Sequence, residues 1–357
     1  MTKFPHLFLQ SFVQRIFAAM GCPPDDAALA ADVLVSADLR GVDSHGVARL
    51  PGYARLHQLG RLNVRPNVRI LYETPSTGVL DGDAGLGLVV APRAMKIALE
   101  KAANVGSGWV AVQNSNHFGI AGYHALRAVE NDCIGWVMTH AGPLVTPTFS
   151  KERLLGTNPI CVAIPAGEEP PFVADFATTT AAYGKLENLQ RKNLPAPTGW
   201  VQDAQGQPTT DANAVRNGGA LLPLGGDREH GSHKGYGLGA VVDILSGVLS
   251  GANYGPWVPP FATAGFMPVG EGVGRGTGHF IGAMRVDGFR PADEFKRHMD
   301  TWIRRFRAAE AIDGHTVLVP GDPERQTEAR LRVEGIPLLP PVIEGLKAVG
   351  GTWGVEF

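Results

Sequence analysis

Two histidines sit among residue types that suit proton chemistry. The first lies in Arg40-Gly41-Val42-Asp43-Ser44-His45-Gly46-Val47-Ala48-Arg49, a polar run between two apolar helical segments. Reducing a 2-oxo acid needs a proton for the developing alkoxide, a cation for the carboxylate and a partner that sets the imidazole tautomer. His45, Arg49 and Ser44 supply these in that order. The same run also reads as helix punctuation, with Asp43 and Ser44 capping and His45 merely packing. The second histidine lies in Gln113-Asn114-Ser115-Asn116-His117-Phe118-Gly119-Ile120-Ala121-Gly122, after the apolar run Trp109 to Val112 and before a helix expected to begin near Gly122. A strand-to-helix loop puts side chains at a sheet edge, where ligands of α/β proteins sit. His117 is the candidate there, with Asn-rich turn chemistry as the alternative.

Weaker motifs follow along the chain. Gly156-Thr157-Asn158-Pro159 and Asp175-Phe176-Ala177-Thr178-Thr179-Thr180 each adjoin an apolar β-type run, and both could present N–H and hydroxyl groups to a phosphate or ribose. Gly231-Ser232-His233-Lys234-Gly235-Tyr236-Gly237-Leu238-Gly239 opens an apolar helix whose N-terminus favours an anion, with Lys234 suited to a pyrophosphate or carboxylate. Turns, caps and close glycine packing are the competing readings of all three. Gly82-Asp83-Ala84-Gly85-Leu86-Gly87 matches neither the dinucleotide fingerprint nor a P-loop. His230 and His233, with Asp227 and Glu229, do not compose a tetrahedral metal site, so no metal is expected, although a metal-dependent lyase or hydrolase is a minor alternative. There is no G-x-S-x-G elbow and no cysteine in an electropositive motif, which argues against nucleophilic hydrolysis.

The elements that must position these groups are legible in outline. Leu9, Phe12, Val13, Ile16, Phe17 and Met20 mark an amphipathic helix ending near Gly21, and a second helix runs from Pro24 to Leu39. Strands are expected at Val68 to Tyr72, Gly78 to Leu80, Trp109 to Val112, Ile134 to Met138, Ile160 to Ile164, Phe172 to Ala174 and His279 to Val286, with Pro92 opening a helix between the second and third. Lys234 to Leu249 reads as an apolar helix, and Pro291 to Val349 as mostly surface helices. The fold class is α/β with a mixed sheet. Its expected division is a helical segment at 1–75 completed by 291–357, a mixed α/β unit at 76–187 and 227–290, and a polar, Pro/Gly-rich excursion at 188–226 acting as a lid or small subdomain.

Bulk properties narrow the function. With 357 residues, 44% hydrophobic and 18% charged, the chain can bury a large core. A net charge of −2 spread along the chain suggests neither nucleic acid nor an anionic membrane as partner, and no run is long and apolar enough to span a bilayer. Cys22, Cys133 and Cys161, odd in number and set among apolar residues, suit reduced thiols in a cytoplasm.

Taken in order, the His45, His117, Gly156–Pro159, Asp175–Thr178 and His233–Leu238 motifs, continued by Gly278-His279-Phe280-Ile281-Gly282-Ala283, resemble the malate/L-lactate dehydrogenase family that lacks a Rossmann fold. The resemblance covers nearly the whole chain. It implies NAD or NADP as cofactor, a homodimer with the site near the subunit interface, and an unusual cofactor-binding sheet beside a helical domain formed by the N- and C-terminal segments. It implies a small 2-oxo or 2-hydroxy acid as substrate, with a cyclic imine 2-carboxylate as the alternative. By the same likeness His45 and His117 are rival proton carriers, while Ser44 and Arg49 hold substrate. Asn116, Gly156, Thr157, Asn158, Asp175, Ala177, Thr178, His233, Lys234, Gly321 and Asp322 are the implied dinucleotide contacts. Two departures stand out: Pro320-Gly321-Asp322 replaces the family's common Pro-Gly-Glu, and the lead from Gly225 to Ser232 is longer than usual.

Overall fold

The computed structural model describes residues 2–261 and 272–357. The N-terminal strand β1 (Thr2–Phe4) leads into α1 (His6–Ala19), α2 (Pro24–Leu39) and, after two short 3-10 turns, α3 (Leu50–Gln58). Helix α1 forms where predicted because its apolar residues recur at helical spacing, and Leu9, Phe12, Val13, Ile16 and Phe17 are all fully buried. Helix α2 starts at the predicted proline, with Asp25 and Asp26 favourably placed at the positive end of its dipole. A first core gathers α1, α2 and α3 around Phe12, Phe17, Leu34 and Tyr53.

The sheet follows: β2 (Arg69–Glu73), β3 (Thr77–Asp81), α4 (Gly87–Val105), β4 (Ser107–Ser115), α5 (Ala121–Val129), β5 (Cys133–Thr139), β6 (Ile160–Ile164) and β7 (Phe172–Phe176). Pro92 does not open α4 as the sequence suggested. The helix begins five residues earlier, at Gly87, and accepts the proline, which is buried, in its second turn. Next come α6 (Tyr183–Arg191), three two-residue strands, β8 (Val201–Gln202), β9 (Pro208–Thr209) and β10 (Ala220–Leu221), and α7 (Ser232–Asp243), which continues as a π-helical turn over Ile244–Val248. β8 to β10 form a small sheet of their own, packed with Val145, Leu155, Leu186 and Val215. The chain closes with β11 (Thr277–Arg285), α8 (Ala292–Arg307), α9 (Asp322–Glu334), β12 (Ile336–Leu338) and α10 (Pro340–Trp353). β12, unanticipated within the helical tail, pairs antiparallel with β1 and ties the two ends of the chain together.

The large sheet has the order β2-β3-β4-β11-β5-β6-β7, and only β3/β4 is a parallel pair. Strand β11 arrives from far along the chain and inserts antiparallel to both β4 and β5. Those two strands therefore run the same way, and the loops after Ser115 and Thr139 leave the sheet at one edge. Helices α4 and α5 cover one face through Ala94, Met95, Ala98 and Ala125. The approach is close: a Cβ on Gly108 would stand 2.0 Å from the Ala98 carbonyl oxygen, so β4 needs glycine there. Helix α7 covers the other face with Val242 against Met138 and Ile160.

Candidate active site

The edge where β4 and β5 end is open. Two adjoining hollows of about 590 and 780 Å³ lie there, sharing His45, His117, Thr157 and Phe261 in their walls. Arg61, Asn116 and Thr139 line the first, and Arg49, Leu144 and Tyr183 the second. The two sequence-predicted histidines thus meet, although 72 residues separate them along the chain. Their rings stack at 5.4 Å between centroids with 24° between planes.

His45 rides on a 3-10 turn that α2 anchors. Asp38, buried on the α2 face, accepts the Val47 N–H at 2.7 Å, and a Cβ on Gly46 would lie 2.1 Å from its carboxylate. Burial pushes the Asp38 carboxyl up to about 8, with a smaller upward contribution from Asp43. Ser44 Oγ lies 2.9 Å from His45 Nδ1, and Arg49 Nε donates to the Ser44 carbonyl. Glu187 of α6 approaches Arg49 at 3.7 Å. His117 sits in the loop after β4 and receives a residue that sequence reasoning missed. Tyr53 Oη lies 2.6 Å from His117 Nδ1 and donates to the His117 carbonyl at 3.3 Å; the Gly119 N–H donates to the same Nδ1 at 3.4 Å. Tyr53 is wholly buried, and its pKa is raised by that burial. The signal was present, since Tyr53 of α3 follows Arg49, the residue that caps that helix, by four positions and so falls on the same face. Phe261 completes the enclosure, 4.9 Å from the His117 ring.

Both imidazoles are held neutral. Desolvation, reinforced by Arg49, brings His45 down to about 4, and desolvation with the neighbouring His45 and Arg49 puts His117 well below its ordinary value. Behind them the central strand lays down a buried relay, His279 Nδ1 to Thr139 Oγ1 at 2.7 Å and His279 Nε2 to Ser115 Oγ at 2.8 Å, which pins β4, β11 and β5 together.

The implied dinucleotide residues fall into two kinds. Asn158, fully buried, accepts the Ala141 N–H at 3.1 Å and donates to the Gly239 carbonyl at 3.0 Å. Thr178 Oγ1 donates toward the Thr157 and Asn158 carbonyls, and Asn116 donates to the Ala84 carbonyl at 2.8 Å. These side chains hold backbone. Gly156 packs on Ala141, where a Cβ would meet its carbonyl oxygen at 2.2 Å. Thr157, by contrast, faces the cleft. Asp175 is exposed at the end of β7, accepting the Gly122 N–H at 2.7 Å from the start of α5, and Ala177 is half-buried nearby. On α7, Lys234 is exposed in the first turn, and His233 Nδ1 lies 2.8 Å from Arg228 Nη1. A cation so placed opposes a metal ion at His233, and no group of metal-ligating side chains converges among the described residues. Gly321 starts α9 beside Val173, and the Asp322 carboxylate is engaged by Arg307, Arg325 and the Val319 N–H. Asp322 is thereby tied into the protein rather than aimed at open space.

Comparison with known proteins agrees with this architecture. Residues 5–347 match the malate/L-lactate dehydrogenase family. A malate dehydrogenase of Pyrococcus horikoshii is 43% identical over 357 residues, covering 99% of this chain and 96% of that one. A malate/(S)-sulfolactate dehydrogenase of Methanothermus fervidus is 38% identical, covering 98% and 97%. The solved structure of malate dehydrogenase from Pyrococcus horikoshii superposes with a TM-score of 0.90 at 40% identity, covering 99% of this chain and 96% of that one.

Proposed function

Because the chain belongs to the malate/L-lactate dehydrogenase family, we propose that it interconverts a small 2-oxo acid and its 2-hydroxy acid using NADH or NADPH. His117 handles the proton and Arg49 holds the carboxylate. The observation that carries this reading is the buried Tyr53–His117 pair in a cleft shared with His45 and Arg49. Proton acceptance at His117 requires the tautomer whose Nδ1–H is donated to Tyr53 Oη, with the tyrosine hydrogen donated to the His117 carbonyl; this tautomer gives up the long 3.4 Å bond from the Gly119 N–H to Nδ1 and leaves Nε2 bare. A bare Nε2 is what a proton acceptor needs. In the oxidising direction it takes the substrate hydroxyl proton, and in the reducing direction the imidazolium returns that proton to the developing alkoxide. Among the described residues His45 has no buried tyrosine partner like Tyr53; its Nδ1 faces the Ser44 hydroxyl, and it serves as the neighbour that orients the substrate oxygen. Arg49 grips the carboxylate and adds to the desolvation that holds the histidines neutral.

The residues present fit a dinucleotide. Lys234, exposed in the first turn of α7 with no carboxylate in ion-pair range among the described residues, suits the pyrophosphate. Exposed Asp175 suits ribose hydroxyls, and Gly156, Thr157, Asn158, Ala177 and Thr178 shape the floor between them. A bound reduced nicotinamide supplies hydride to the carbonyl carbon. The platform is then a mixed sheet in place of a parallel Rossmann sheet. The protein is read as a cytoplasmic homodimer: Val241, Ile244 and Val248, 45%, 53% and 52% exposed along α7 and its π-helical continuation, form an apolar row that a second copy would cover.

The test is a panel of 2-oxo acids and cyclic imine 2-carboxylates with NADH and NADPH separately, following loss of the reduced cofactor. Turnover of oxo acids is expected. Turnover confined to cyclic imines would replace this reading with the imine reductase alternative.

A further inference from the structure

Arg61 lies three residues beyond α3 and is half-buried in the wall of the hollow that contains both histidines. Arg49 lines the other hollow, so two guanidinium groups border two spaces that meet at the histidine pair. Their surroundings differ. Arg49 has Glu187 at 3.7 Å, whereas Arg61 has no carboxylate within ion-pair distance among the described residues. Its guanidinium donates one hydrogen bond, from Nη2 to the Pro260 carbonyl at 3.1 Å, and burial pulls its pKa below the ordinary arginine value.

A half-buried cation without a counter-ion loses hydration, and the single Pro260 bond returns only part of it. The Pro260 bond fixes the plane of the fork and leaves other N–H donors for a ligand. Such a fork matches an oxyanion with two coplanar or tetrahedrally arranged oxygens, a carboxylate or a sulfonate. A neutral substrate tail in the same place would displace water from the cation and return no hydrogen bond, which is how a polar site rejects an apolar analogue.

We propose that Arg61 receives a second anionic group at the far end of the substrate, so that the enzyme selects dianionic 2-oxo acids over those with neutral tails. This rests on the 2-oxo acid reading above, in which Arg49 holds the carboxylate next to the reacting carbonyl. Carboxylate and sulfonate tails are both competent partners for the fork.

The experiment measures kcat/KM for oxaloacetate, sulfopyruvate and 2-oxobutyrate in the wild type, Arg61→Gln and Arg61→Lys, with whichever reduced nicotinamide the wild type uses. The wild type should favour one or both dianions. Arg61→Gln should reduce the favoured rate constant about tenfold to a hundredfold, the usual range for losing a hydrogen bond to a charged group, while 2-oxobutyrate changes by less than about threefold. Arg61→Lys should keep part of the preference. Equal losses on dianion and neutral tail in both variants, or a dianion preference that survives Arg61→Gln, would overturn the assignment. If the wild type prefers 2-oxobutyrate, Arg61 loses this role while the oxo acid reading stands. If it reduces none of the three, the oxo acid reading fails and takes this one with it.

Discussion

Two polar regions border the same sheet edge and use their side chains in opposite ways. Around His45, Arg49 and His117, the titratable groups face open space and their partners, Ser44 and Tyr53, are themselves side chains. Around Asn158 and Thr178, the amide and hydroxyl groups turn inward and hold the carbonyls and N–H groups of the surrounding turns. On the proposed reading the first region carries the chemistry. The second fixes a backbone surface, and of its residues Thr157 faces the cleft.

That contrast can be broken in three ways, and acid should have the largest effect. His45 is brought to about 4, His124 to about 4 and His140 to about 3, all chiefly by burial, and His117 and His279 lie well below their ordinary value. Below the unfolded pKa of 6.5 the unfolded chain binds protons that the folded chain refuses. Stability should therefore fall as pH drops from about 6.5 toward 4, by up to ~1.4 kcal/mol per pH unit for each such group. Asp38, raised to about 8, and Asp175 and Asp243, each raised to about 6, all chiefly by desolvation, oppose this but are fewer. Urea unfolding at pH 7.5, 6 and 5 measures the slope; it should be shallower in His117→Gln and unchanged in Thr178→Val. A flat profile would mean the histidines are not held neutral by the fold.

Second in size is Asn158→Ala. It removes the partner of the part-buried Ala141 N–H and a bond to the buried Gly239 carbonyl, at about 1 to 3 kcal/mol for a buried group left unpaired. Thermal melting should show that loss, while folded enzyme at low temperature keeps its turnover. A variant of normal melting temperature and collapsed turnover would move Asn158 into the first region. Smallest is Arg49→Lys, which keeps charge and loses the planar fork: KM for the oxo acid should rise about tenfold with little change in melting temperature. An unchanged KM would remove Arg49 from the substrate site.

Much of the frame was legible in the sequence. The helix from Pro24 to Leu39 ran as its proline and final Arg40-Gly41 suggested, and Ile160 to Ile164 was a strand throughout. Local pattern failed at Pro92, which suggested a helix start because proline is favoured there, although the apolar face already began at Gly87. β12 is three residues long and exists only through its pairing with β1, so no local periodicity could announce it. The two histidine motifs stood out because polar residues clustered between apolar segments. Tyr53, Asp38 and Arg61 did not, since each lies within or beside an apolar helix and acquires its role only when β4 brings His117 to α3. Asn158 and Thr178 were conspicuous as polar residues beside apolar runs, and only the fold shows that their side chains hold backbone.

The central claim is that His117, oriented by Tyr53, moves the proton. It is tested most directly by turnover of His117→Ala and His45→Ala at saturating substrate and matched folded fraction. His117→Ala should lose about a hundredfold to ten-thousandfold in kcat, and His45→Ala markedly less, with its larger effect on KM. Near-normal turnover of His117→Ala beside a collapse in His45→Ala would contradict the assignment.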